Sequence, residues 1–108
     1  MNDKYKLEGH EVVPVDDLLE WGSWFETANR HVGLDIFGDV RVSTVFLGLD
    51  HNFGNGEPLL FETMVFGGPL DGEQERYCTW DEAEAGHKVM VEKARPSPAA
   101  SKPEAGQP

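Results

Sequence analysis

A single cysteine, Cys78, leaves this chain without an internal disulfide or a cysteine zinc cluster. Positive charge is also scarce: nine Lys and Arg stand against twenty Asp and Glu, for a net charge of −11. Nucleic-acid binders hold phosphates with clustered Lys and Arg. Here the basic residues are few and scattered, so no nucleic-acid ligand is expected. No apolar run approaches the roughly 20 residues that cross a bilayer, and the opening MNDKYKLEGHE has no apolar signal core. The expectation is a protein without a membrane partner and, with no export signal, a cytoplasmic one. A Gly-x-Ser-x-Gly elbow, a phosphate loop, a Cys-x-x-Cys pair and a His-Glu-x-x-His pair are missing too. The reading is of a non-enzyme that needs no cofactor.

What is present suits one small domain. A chain of 108 residues buries somewhat over roughly 60% of its unfolded surface, enough for one core without staples. The last stretch, RPSPAASKPEAGQP, holds four of the seven prolines and almost no bulky apolar residue. Residues 96–108 are therefore expected to be a disordered Pro/Ala-rich tail on a domain spanning 4–95. The acidic excess favours solubility, and it also suits a basic partner or a DNA-mimicking inhibitor.

DDLLEWGSWFETANRH (16–31) reads as a helix, with Asp17 and Glu20 spaced as a capping box. Leu18, Trp21, Phe25 and Ala28 make one stripe with Trp24 at its edge, and Gly22 inside suggests close approach by a neighbour. Gly38-Asp39 between apolar runs marks a two-residue hairpin. Strands are expected over 40–49, 59–67 and 73–79, with GPLDG as the turn between the last two. Thr79 and Glu82 form a second capping box, and Trp80, Ala83, His87, Met90, Val91 and Ala94 share one helical face. The order predicts an α+β domain: an antiparallel sheet of about four strands, both helices on one face, and an N-terminal segment available as an extra edge strand. It echoes double-stranded-RNA-binding domains in topology alone, since the charge is wrong for that activity.

GLDHNFGNG (48–56) is the stretch that looks most like chemistry. Asp50 and His51 are neighbours in sequence, without the spacing that aims two ligands at one ion, and Asp and Asn already serve tight loops by bonding their backbone. A metal site or hydrolase-like centre of Asp50, His51 and Glu62 is the alternative reading. His10 is expected in an irregular stretch, His31 near a helix end, His87 in the core, and Cys78 as a small buried group on a strand.

Pairing Leu49 with Leu59 sets Glu62 opposite Phe46, and closing the GPLDG turn sets Tyr77 opposite Glu62. One face then shows Val42, Phe46, Leu60, Met64 and Phe66 around a Glu62–Tyr77 pair. The other carries Val45, Leu47, Phe61, Val65 and Cys78 beneath the helices. Two apolar faces with only two helices leave one to be covered: by residues 5–15, by a one-residue slip of register, or by a partner or second copy. Phe46, Glu62, Met64, Phe66 and Tyr77 are the candidate partner-binding residues.

DDLLEWGSWFETANR, STVFLGLDHNFGNGEPLLFETMVFGG and DEAEAGH resemble a family of small uncharacterised phage, prophage and bacterial proteins, over about residues 4–94. That resemblance implies a mobile-element or host-interaction setting and carries over no catalytic residue. The expected function is a phage-related, non-enzymatic protein-interaction module. It would use an open sheet face to bind an unidentified protein or to form a homodimer.

Overall fold

The structure, a computed structural model, describes residues 3–52 and 56–95; the tail expected over 96–108 lies outside them. Eight elements follow one another: β1 (Tyr5–Glu8), β2 (Glu11–Pro14), α1 (Leu18–Thr27), β3 (His31–Phe37), β4 (Val40–Phe46), β5 (Phe61–Phe66), β6 (Gln74–Tyr77) and α2 (Trp80–Ala94). Strands β3-β4-β5-β6 form one antiparallel sheet in that order, and β1 and β2 form a second, giving an α+β fold.

The N-terminal segment is thus a hairpin of its own and adds no edge strand to the larger sheet. Gly9 and Gly38 each stand first in a two-residue turn with φ near 60° (64° and 58°), the left-handed region where a Cβ is penalised. His10 sits in the first of these turns, not in an irregular stretch. The hairpin is joined to the rest through backbone bonds from Tyr5 N–H to Gly48 and from Asp50 N–H to Asp3.

Asp17 caps α1, accepting from the N–H groups of Leu19 and Glu20 at 2.9 and 3.3 Å. The helix stops at Thr27, four residues before the predicted end. There the Asn29 side chain accepts from His31 N–H, and Arg30 and Phe46 pair through their backbones. A short polar side chain offering a local acceptor competes with the helix ladder. His31 consequently opens a strand. The predicted stripe is corrected as well. Leu18 and Leu19 are 65% and 83% exposed, while Trp24 meets Phe46 edge-on and the Trp21 indole N–H donates to Tyr5 C=O. Gly22 faces open space and admits no close neighbour.

The pairing of the central strands is one residue away from the predicted one. Phe46 lies opposite Phe61 and Val45 opposite Glu62; Tyr77 lies opposite Phe61 and Arg76 opposite Glu62. The cause is local. Gly48, at φ 82°, ends the regular pairing of β4, so counting inward from Leu49 and Leu59 crosses a break. Leu60 and Phe61 are both fully buried in succession, which interrupts the alternation that the count assumed. A slip of one leaves β5 facing as expected but exchanges the faces of β4 and β6 against it: Val42, Phe46 and Tyr77 turn to the core and Val45 turns away, so the two apolar faces resolve into one core face and one mixed face.

The core face carries three layers. Val40, Val42 and Val65 pack with Met90 and Val91 of α2. Phe46, Leu60 and Phe61 pack with Ala83, joined by Trp24, Trp80 and the hairpin residues Tyr5, Leu7 and Val12. Between these clusters lie Thr44, Thr63 and His87, polar and buried. The capping box at the start of α2 is complete: Thr79 Oγ1 accepts from Glu82 N–H, and Glu82 accepts from Thr79 N–H.

Candidate functional site

The polar layer is the most chemical feature of the interior. His87 Nε2 lies 2.7 Å from Asp35 Oδ1, and its Nδ1 lies 2.6 Å from Thr44 Oγ1. Thr44 and Thr63 hydroxyls are bonded at 2.5 Å, and the Tyr77 hydroxyl donates to Thr63 at 3.1 Å. A carboxylate only accepts, so with a neutral imidazole one arrangement satisfies every group: Tyr77 to Thr63, Thr63 to Thr44, Thr44 to Nδ1, and Nε2–H to Asp35. Two glycines make room for it. A Cβ on Gly33 would meet the His87 ring at 2.8 Å, and one on Gly86 would fall inside contact with the Tyr77 ring. Asp, His and Thr are the residue types of a nucleophilic triad. Thr44 is fully buried under α2, however, so its hydroxyl reaches no substrate, and the chain ties the helix to all four strands of the larger sheet.

The 48–56 loop has a structural use for its aspartate. Asp50 Oδ1 accepts from Asn52 N–H at 2.7 Å and Leu59 N–H at 3.0 Å, closing the loop base, and His51 Nδ1 bonds Leu49 C=O. Glu62 is on another face of the problem: its carboxylate takes Arg76 Nε at 3.0 Å across the strands. Among the described residues no group of three His, Cys, Asp or Glu is placed to hold a metal ion, and Asp50, His51 and Glu62 form none. Cys78 follows β6 directly. Burial, then the carboxylates of Glu57 and Glu82, push its thiol above the ordinary 9.0, away from the reactive thiolate.

Strand alternation and register place Leu34 and Ile36 of β3, Arg41, Ser43 and Val45 of β4, Glu62, Met64 and Phe66 of β5, and Gln74 and Arg76 of β6 on the mixed face. Ile36 is 63% exposed, Leu34 50% and Phe66 38%. The Arg41 guanidinium lies over the Phe66 ring, 4.4 Å from its centre. Of the five predicted partner-binding residues, Glu62, Met64 and Phe66 are together here. Phe46 and Tyr77 are corrected to the core face by the register, with Phe46 fully buried. Leu34, Ile36, Arg41 and Arg76 were not singled out from sequence, although the alternation in LDIF and QERY carried the signal.

A cleft of about 410 Å³ lies elsewhere, between the β1–β2 turn and the start of α2, lined by Glu8, His10, Glu11, Thr79, Trp80 and Asp81. His10 stacks on Trp80 with ring centres 3.8 Å apart and planes 9° from parallel. The Trp80 indole N–H is buried with no acceptor among the described residues.

No described helix is long and apolar enough to cross a membrane. Comparison of the chain with known protein families, with curated proteins and with solved structures finds no match.

Proposed function

We propose that this protein is a non-enzymatic interaction module that engages a partner protein through the mixed face of its four-stranded sheet. The carrying observation is the asymmetry of that sheet. One face is covered by α2 with Trp24 of α1 and the N-terminal hairpin, while the other leaves Leu34, Ile36 and Phe66 exposed on either side of Ser43 and Arg41, near the half-buried Met64 and Val45, with Glu62–Arg76 its one ion pair among the described residues. Contiguous apolar surface with a polar border is characteristic of interaction sites, whereas isolated exposed apolar residues are ordinary. The resemblance to small phage and prophage proteins suggests a host or phage protein as the partner. The test is capture from the native host, identification of the captured protein, and rebinding in purified form. Ile36→Ser should weaken that binding by at least about tenfold, roughly 1.4 kcal/mol. Val89→Ser, which alters a comparably exposed residue on α2 (61%), should leave it unchanged. Equal effects from the two variants would refute the face as the site.

A further inference from the structure

We infer that the buried layer around His87 is a proton-operated relay: when His87 gains a proton, every hydroxyl bond in the layer reverses and the Tyr77 hydroxyl changes from donor to acceptor. The relay lies on the core side of the sheet and does not depend on the interaction reading. Geometry fixes its resting direction. His87 Nε2 faces the Asp35 carboxylate at 2.7 Å, and a carboxylate only accepts, so the neutral ring carries its one hydrogen on Nε2. Nδ1 is then an acceptor, filled by Thr44 at 2.6 Å, and the direction from Tyr77 through Thr63 and Thr44 to His87 follows.

An added proton has one place to go. Nε2 already carries hydrogen, so the proton enters at Nδ1, and Thr44 Oγ1 must accept where it had donated. Thr44 is fully buried, and its other side-chain partner among the described residues is the Thr63 hydroxyl. Thr44 therefore donates to Thr63, and Thr63, fully buried as well, donates to Tyr77. A stop partway would strand a buried O–H without an acceptor. Of the three hydroxyls, that of Tyr77 alone belongs to a side chain that is not fully buried, so its O–H can turn out to water. The net change is one proton gained at Nδ1 and three O–H bonds re-aimed.

Charge supports the protonated state. Asp35 lies against the ring and supplies the countercharge that a buried cation needs. The core faces of β4 and β5 present Val40, Val42, Phe46, Phe61 and Val65 beside the two threonines, with no charge among them. Glu84 and Lys88 on α2, and Glu75 on β6, are exposed and form no ion pair with His87 among the described residues. Proton uptake beside β3 is thus read at β6, three strand spacings or about 14 Å across the sheet.

The experiment is an NMR pH titration of the full chain, labelled with 13C and 15N, over the range in which it stays folded. Ring nitrogen shifts give the tautomer and charge of His87, and the Tyr77 Cζ shift reports the bonding of its hydroxyl, with Tyr5 as internal control. Neutral His87 should carry its hydrogen on Nε2. Its protonation and the change at Tyr77 Cζ should share one midpoint that Tyr5 does not follow. Tyr77→Phe removes the last acceptor and so penalises the protonated state alone; the His87 midpoint should fall by at least about one pH unit. Thr63→Val should uncouple the two ends, so that Tyr77 no longer follows His87. The Nδ1–H tautomer, or a ring that stays neutral until acid unfolding, would overturn the relay. So would a flat Tyr77 Cζ across the His87 titration, a Tyr77 response that survives Thr63→Val in a folded protein, or an unchanged midpoint in Tyr77→Phe.

Discussion

Tyr77 shows how a single side chain couples the core to pH. Burial pushes its hydroxyl above the ordinary 10.0; the bond to Thr63 works against that rise and Glu75 adds to it. In the unfolded chain the proton leaves near pH 10.0, while the folded protein retains it to higher pH. Between those two values the folded state binds more protons, so its stability falls as pH increases; below that window the contribution is complete. Cys78 acts with the same sign starting from 9.0, which makes Cys78→Ala the clean background. There, the urea midpoint should decline above about pH 10, and Tyr77→Phe should flatten that decline. A decline of the same slope in both proteins would mean that Tyr77 is not the titrating group. The chain reveals His87 as a core histidine because it falls on the apolar stripe of a helix. Its partners Asp35 and Thr44, and Thr63 bonded behind Thr44, were not legible, since they come from strands whose register had first to be known.

Between the two helices, one substitution has opposite expected outcomes. Gly22 lies inside α1 with nothing within 4 Å of an added Cβ. Gly22→Ala should therefore stabilise the fold by about 0.5–1 kcal/mol, the ordinary helical preference for alanine. Gly86 lies inside α2 against the Tyr77 ring, so Gly86→Ala should destabilise by about 1–3 kcal/mol despite the same preference. Denaturant unfolding of the pair measures both, and a gain at position 86 would refute the close packing of Tyr77 under the helix. The elements themselves were largely readable: the caps at Asp17 and Thr79, the Gly38-Asp39 turn and the face of α2 are local signals. The Gly9-His10 turn between YKL and VVPV carried the same kind of signal and identifies the N-terminal hairpin. Register was not local. It depended on the break at Gly48 and on consecutive burial of Leu60 and Phe61, which alternation alone does not disclose.

For the molecule as a whole, the separation of one core face from one mixed face makes a sharp prediction about two phenylalanines on β5. Phe61 is fully buried, and Phe61→Ala should cost about 3–5 kcal/mol. Phe66, on the other face, 38% exposed and overlain by Arg41, should cost less than about 1.5 kcal/mol on truncation. Equal, large losses in urea unfolding would show both faces buried in one folded unit and would remove the surface on which binding is proposed. The α+β class was legible from the alternation of patterns along the chain. The open face was foreseen as a kind of surface but with part of its membership exchanged, because one residue of register decides which side each side chain takes.

The threonine–histidine layer also fixes where α2 can rest. Sliding the helix by one turn, about 5.4 Å, would carry His87 away from Thr44 and set an apolar neighbour over two buried hydroxyls. Each unpaired group would then cost about 1–3 kcal/mol, whereas a sheet face of valine and phenylalanine alone would accept the shifted helix with little penalty. The layer is a detent, holding α2 at one notch along the strands. A partner pressing on the far side of the sheet thus meets a platform whose backing does not creep.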